Sequence, residues 1–424
     1  MTRPWESEGA QLRSLLDRVL PAGVARDDGA DAERIARIVW SIIAEPGDGV
    51  VGRLVDDLGA RASLEAVWDD KGGPAIAGRE LRQAAHLAQE RVLRAYRGRG
   101  FDEAPDGVAA GFARWRPRMG PAASVQAVLE MARASDALLL TPDDEGWPLQ
   151  LADLGEHSPL LLWARGDAGL LTRAPMIAVV GARAATAYGT HVATDLAAEL
   201  CEHGYTVVSG AAYGIDAAAH RAALAASGGT VAVLAGGADR FYPSGNDDLL
   251  RRIVRHGLVV AEVPFDSPPT RWRFLQRNRV IAALAQATVV VEAGERSGTI
   301  NTAGHAGKLG RPLGAVPGPV TSPSSAGCHR LMREYGAECV TGCADVLRLV
   351  GGLDAAAEPL ADPEDPRYMR ALDALSARSP RPLDEVARRS GMAAPEVASL
   401  LGTLLLDGRV RKTERGWVSV PRRS

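Results

Sequence analysis

Apolar and polar positions follow two rhythms along the 424 residues. Before residue 165 apolar side chains recur at helical spacing, as in DAERIARIVWSIIAE, where Ile35, Ile38, Val39 and Ile42 share a face. From 175 to 350 the pattern changes to short apolar runs: IAVV (177–180), TVVS (206–209), TVAVLA (230–235), LVVAEV (258–263), TVVVEA (288–293) and LGAV (313–316). Helical patterns separate them. Continuous β-branched runs joined by crossover helices specify a parallel sheet buried on both faces. The expected fold class is α/β: a Rossmann-like, doubly wound, mainly parallel sheet with a helical N-terminal domain and a C-terminal winged helix.

Finer patterning divides the chain. Residues 1–30 form an N-terminal extension and 31–165 a helical domain of helix-hairpin-helix or SAM-like type. Within it, PGDGVVGRLVDDLG is a turn followed by a helix. It loosely resembles a helix-hairpin-helix, although Asp48 sits where that motif prefers an apolar residue. GRELRQAAHLAQERVLRAYRGRG is a further helix, and residues 100–121, rich in Gly, Pro and Arg, are expected to be loop. Residues 166–352 form the Rossmann-like domain, and the acidic, proline-rich 353–366 a linker. Residues 367–424 hold three helical stretches, RYMRALDAL, LDEVARRSG and APEVASLLGTLLLDG, then RVRKTERGWVSV, a hairpin turning near Arg415-Gly416. Three helices and a hairpin make a winged helix-turn-helix.

Charge changes this picture only locally. The net charge of -3 argues against a protein coated in nucleic acid, so clustering must carry any such reading. Lys71, Lys308 and Lys412 are the only lysines among 49 basic residues, so a lone arginine means little here. Four cysteines do not make a disulfide framework. No apolar run approaches the roughly 18 residues of a membrane span. The first twenty residues lack the apolar core of a secretory signal, and the cytoplasm is the expected compartment.

The chemistry gathers where strands end. MIAVVGARAATAYGT reads as a strand, a tight turn and a helix, the place where dinucleotide folds carry G-x-G-x-x-G. Here Gly181 keeps the first glycine, but Arg183 and Thr186 replace the second and third. A dinucleotide needs bare backbone at that point, whereas a phosphate within a polymer can be gripped by a guanidinium fork. Later strand ends bring Ser209, Gly210, Gly214, Asp216 and His220, then Gly236, Gly237, Asp239 and Tyr242, then Glu262, then Glu292, Ser297, Gly298 and Thr299. Such turns expose amides and helix N-termini to anions, and several in a row suit a chain of phosphates.

The sharpest feature is the run Arg271, Arg273, Arg277 and Arg279, interleaved with Trp272, Phe274 and Asn278. If 270–274 is extended, Arg271 and Arg273 share one face and Trp272 and Phe274 the other. Guanidinium groups beside rings are the equipment of single-strand recognition. The competing reading makes the rings core and the arginines a solvated rim.

Catalytic readings fit less well. Ser209, Asp216 and His220 suggest a hydrolase triad, but Ser209 lacks the G-x-S-x-G elbow, and Asp216 is expected to cap the following helix. AGHAGKLG lacks the Walker A spacing. Cys328, His329, Cys339 and Cys343 contain no C-x-x-C, so no metal site is expected. Glu262 and Glu292 are expected to end neighbouring strands, where a pair of carboxylates could hold a metal but fits better as the partner that orients the arginines.

Six stretches in order, VVGARAATAYG, SGAAYGIDAAAH, VLAGGADRFYPSGN, RNRVIAALA, VVEAGERSGTINTAGHA and AVPGPV, resemble the DNA-processing protein A (DprA, or Smf) family. The resemblance implies a non-enzymatic recombination mediator without cofactor. It would bind single-stranded DNA, dimerise, and help load RecA during transformation, even against single-strand-binding protein. It further implies a phosphate pocket lined by Arg183, Ser209, Gly210, Arg277 and Asn278, with Phe274 meeting a base. The chain departs from the family in offering arginines where lysines are common, and in reading AEVPF where many members have S-E-x-P. A dimer surface is expected in CHRLMREYGAECV, through Leu331, Met332 and Tyr335. The alternative is a nucleotide- or nucleoside-processing enzyme of a related Rossmann-like fold.

Overall fold

The computed structural model describes residues 9–24, 27–69, 77–119, 123–351 and 365–420. The linker expected at 353–366 therefore lies outside the described residues except for its last two, as do residues 1–8 of the expected extension, whose remainder begins with the helix Gly9–Asp17. Two compact units are present, Met1–Leu353 and Asp354–Ser424.

In the first unit nine strands form one sheet: β1 (Leu138–Leu140), β2 (Leu162–Gly166), β3 (Met176–Val180), β4 (Thr206–Ser209), β5 (Thr230–Leu234), β6 (Leu258–Ala261), β7 (Ala287–Val290), β8 (Leu313–Ala315) and β9 (Glu338–Cys339). Their order is β1-β2-β6-β5-β4-β3-β7-β8-β9. All neighbours from β6 to β9 pair in parallel, while β1 and β2 add an antiparallel edge. Every residue of β3 to β8 is buried, which is why these strands read as mostly apolar, β-branched runs without a polar face. β1 and β2 come from the stretch whose pattern suggested mainly helices. Three residues of β1 are too few to display a period of two, and β2 joins the sheet only by pairing with β6.

The chain winds from β3 through β4 and β5 to β6, then returns across the sheet to β7 on the other side of β3. Strand order thus reverses between β3 and β7. The loops leaving their carboxyl ends face one another there, at the switch point where doubly wound sheets bind ligands.

The helical part packs around Trp40, Leu54, Leu64, Phe112 and Trp115, in a core that continues onto the sheet through Trp163, Leu234 and Val259, with the Trp40 and Trp115 rings edge to face at 5.2 Å. Residues 100–121, expected as loop, contain the helix Val108–Trp115. Its apolar signal is one short stripe, Val108, Phe112 and Trp115, which tertiary burial stabilises. Asp48 N-caps the helix Gly49–Leu58, accepting from the Val50 amide at 3.2 Å, and also accepts from Trp115 Nε1 at 3.0 Å. A carboxylate at this turn is therefore a cap. Among the described residues no helix is long and apolar enough to cross a membrane.

The second unit consists of helices Pro366–Asp373, Leu383–Ser390 and Ala394–Leu406 and the antiparallel hairpin β10 (Val410–Thr413) and β11 (Gly416–Ser419). Val386, Val397, Leu401 and Leu404 fill its small core. Gly391 ends the second helix at φ 66°, a left-handed position that glycine adopts without strain.

Candidate nucleic-acid interface

The arginine run is helical. Thr270 caps the helix Arg271–Leu284, its hydroxyl accepting from the Arg273 amide at 3.2 Å. The extended arrangement is thus corrected, and with it the sharing of faces: a period of 3.6 sends Arg271, Phe274, Leu275 and Asn278 to one side. That side lines a groove of about 950 Å3 at the switch point. The opposite wall is Gly181, Ala182 and Arg183 after β3, and Arg296, Ser297, Gly298 and Thr299 after β7, with Tyr242 and Asp216 closing the rim and floor.

Arg277 forms the buried base of this groove and is only 7% exposed. Its Nη1 donates to the Val233 carbonyl at 2.6 Å and its Nε to Asn278 Oδ1 at 3.2 Å. Burial pulls its pKa down to about 10; Arg183 adds to that and the Asp216 charge opposes it. Asp216 does not cap its own helix as expected. It reaches back and accepts from the amides of Gly210 (3.2 Å) and Ala212 (3.3 Å), and burial raises its pKa against those contacts and Arg277. Asn278 Nδ2 in turn donates to Asn301 Oδ1 at 3.1 Å, tying the arginine helix to Thr299–Lys308.

Above this floor the groove is polar and cationic. The Arg183 guanidinium lies 5.0 Å from the Phe274 ring centroid, and the Tyr242 ring packs on Phe274 at 5.7 Å. Arg183, Arg271 and Arg296 are exposed and form no ion pair among the described residues. Ser297 Oγ donates to Thr299 Oγ1 at 3.1 Å, which donates on to the Gly181 carbonyl at 2.9 Å, so the two facing loops are stitched together. Gly181 is small for a packing reason: a Cβ there would lie 2.5 Å from Ile215.

Of the expected site residues, the groove gathers Gly181, Arg183, Arg271, Phe274, Arg277, Asn278, Ser297, Gly298 and Thr299. The others serve the scaffold. Ser209 is buried and donates to the Val179 carbonyl at 2.7 Å. Gly210 lies beneath Arg277, and Gly237 is buried with its amide on the Ser267 carbonyl. Thr186 caps the helix Ala187–Glu202 and donates to Glu292 at 2.6 Å. Arg273 pairs with Glu45 of the helical part at 2.9 Å. Arg279 makes a bidentate pair with Glu262, at 2.7 and 2.8 Å, with its side chain 3% exposed. Glu262 and Glu292 do not end neighbouring strands, since β5, β4 and β3 lie between β6 and β7. Glu262 does hold an arginine, whereas Glu292 holds Thr186 and Ser324.

The polar groove residues Arg296 and Asn301 were not singled out in the sequence. Arg296 directly precedes Ser297, and Asn301 lies one helical turn from Gly298. Tyr242 was visible in its motif, but nothing in a linear pattern puts it beside Phe274. The triad residues are held apart by other bonds: His220 shares a 2.7 Å bond with Thr230, and burial pushes its pKa down to about 3. Among the described residues no group of three His, Cys, Asp or Glu side chains is placed to hold a metal. Leu331 is fully buried within the chain against the sheet, which corrects its assignment to an exposed apolar surface; Tyr335 is 42% exposed.

A Rossmann-like sheet with a cationic, ring-bearing groove at its switch point is the class the fold defines. The family model for DNA recombination-mediator protein A matches residues 138–351, and that for the DprA winged helix domain residues 355–414. A Mycobacterium tuberculosis protein described as DNA processing protein DprA is 48% identical over 311 residues, 68% of this chain and 78% of that one. Protein Smf of Escherichia coli is 34% identical over 311 residues, 71% and 82% of the two chains. The X-ray structure of DprA from Streptococcus pneumoniae superposes with a TM-score of 0.55 at 28% identity, covering 75% of this chain and 97% of that one. The chain belongs to the DprA/Smf family of DNA-processing proteins.

Proposed function

We propose that the chain is a non-enzymatic recombination mediator of the cytoplasm that binds single-stranded DNA in the switch-point groove. As a homodimer it helps load RecA onto that strand during DNA uptake, also where single-strand-binding protein competes. One observation carries the reading: three arginines without ion-pair partners among the described residues, Arg183, Arg271 and Arg296, line one open groove with the Phe274 and Tyr242 rings. Separate cations suit successive phosphates of one strand, and rings suit bases that are not already stacked in a duplex. A nucleoside-processing enzyme would need an acid or base aimed at a glycosidic bond. The acid nearest the groove floor, Asp216, is engaged by two backbone amides instead.

The test is a titration of single- and double-stranded oligonucleotides across a salt series. Single strands should bind more tightly, and Arg183→Ala should weaken them while reducing the slope of log affinity against log salt by about 0.7, one phosphate contact. Equal affinity for both forms, or release of free base from nucleoside monophosphates, would contradict the reading. Light scattering at micromolar concentration tests the dimer, which a strictly monomeric mass excludes.

A further inference from the structure

Phe274 has the ring that the family resemblance offers to a base, yet its surroundings are already occupied. It is half-buried. The Arg183 guanidinium lies over it at 5.0 Å and that of Arg277 at 5.9 Å, and the Tyr242 ring packs on it at 5.7 Å with a 56° tilt. A base seeking its face would have to displace a guanidinium from an attractive position.

Tyr242 differs on each count. It reaches the rim of the groove from the loop after β5, beside the arginine helix, and is 47% exposed. Among the described residues Phe274 is its one ring neighbour and its hydroxyl has no hydrogen-bond partner. A large aromatic side chain left half open at the rim of a cationic groove, and braced from behind by a second ring, is a stacking platform with an unused face.

We propose that Tyr242 supplies the face on which a base of the bound strand stacks, with Phe274 as its backing ring and Arg183 as the neighbouring phosphate clamp. This rests on the single-strand reading above. It divides the labour along the groove: Arg183, held over Phe274, meets the backbone, and Tyr242 meets the base of an adjacent nucleotide. Stacking needs only a π-face, so the site accepts any base.

The test compares oligothymidine with an abasic deoxyribose-phosphate strand of equal length, each titrated against wild-type protein, Tyr242→Ala, Tyr242→Phe and Phe274→Ala. Wild-type protein should prefer oligothymidine. Tyr242→Ala should lose about 5- to 150-fold on oligothymidine, the equivalent of about 1–3 kcal/mol of stacking, and nothing on the abasic strand. Tyr242→Phe should retain the preference, which also shows that the loop tolerates substitution. The proposal is overturned if Tyr242→Ala keeps the base preference while Phe274→Ala abolishes it, or if Tyr242→Ala weakens both strands alike. Wild-type protein that holds neither strand overturns the single-strand reading itself, and the stacking with it.

Discussion

Gly210 and Arg277 occupy one space: a Cβ on Gly210 would lie 2.0 Å from Arg277 Nη1. The glycine is there so that a guanidinium can lie flat against the backbone at the end of β4 and reach the Val233 carbonyl. Gly210→Ala should therefore push Arg277 up into the groove. Both thermal stability and single-strand affinity should fall, because the displaced side chain leaves a buried bond unmade and disturbs Phe274 above it. Calorimetry together with an oligonucleotide titration checks this, and an alanine variant unchanged in both would show that Arg277 is free to move.

Arg273 and Arg279 separate sequence proximity from spatial role. Both belong to the run that suggested DNA contact, but each is committed to a carboxylate. Breaking a buried pair by removing one partner costs about 3–5 kcal/mol, because the remaining charge is left uncompensated. Arg279→Met should accordingly lower the melting temperature strongly while leaving the single-strand affinity of the folded fraction unaltered. The double variant with Glu262→Leu should recover part of the loss. Weakened DNA binding at unchanged stability would return Arg279 to the groove.

This pair also shows how far the sequence reaches. The parallel core was legible because strands buried on both faces are short runs dominated by apolar and β-branched residues, and β3 to β8 are, with Thr206, Ser209, Thr230 and Thr288 as their buried hydroxyls. The strand ends were legible because glycines and helix caps mark them. Whether Arg271 and Arg273 face the same side was not, since a strand through Thr270 would align them, whereas the helix that Thr270 caps sends them to opposite sides. Likewise Ser209 and Thr186 carry hydroxyls suited to phosphate, but local carbonyl and carboxylate partners claim them. The helix Val108–Trp115 was missed because its stripe is three residues long and only the burial of Trp115 against Trp40 completes it.

His220 gives the fold an acid-sensitive point. Its ring is fully buried, held by Thr230, and its pKa is lowered to about 3, against an ordinary value of 6.5. Above about pH 6.5 the ring is neutral in both folded and unfolded chains and exerts no pH dependence. As pH falls from there towards 3 the unfolded chain takes up a proton that the folded one refuses, so stability declines. Its contribution approaches about 1.4 kcal/mol per pH unit in the middle of that window. His305, lowered to about 4 chiefly by burial, acts in the same direction. His220→Asn, which can keep a bond to Thr230 without titrating, should flatten the dependence. Urea unfolding at pH 7.5 and 5 for both proteins measures the difference, and identical slopes would exclude His220 as its source.

The last prediction concerns the winged helix. Such modules read duplex DNA through side chains of the second helix of the helix-turn-helix. Here that helix is Ala394–Leu406, with the sequence APEVASLLGTLLL. It has no Arg, Lys, Asn or Gln, the donors that discriminate guanine and adenine edges. Its one charged residue, Glu396, lies 3.6 Å from Arg367. The outer end carries Leu405 and Leu406, the latter 89% exposed, which cannot hydrogen-bond to a base. The basic side chains lie on other elements: Arg388 and Arg389 end the preceding helix, and Arg411 and Lys412 lie on β10. Cations so placed can touch phosphates without reading sequence. Selection from random duplexes by the full chain should therefore enrich no motif. Deleting residues 354–424 should leave single-strand affinity within about threefold of the full chain, because the groove draws every lining residue from the first unit. Enrichment of a defined duplex motif that disappears with the deletion would assign sequence recognition to this module after all.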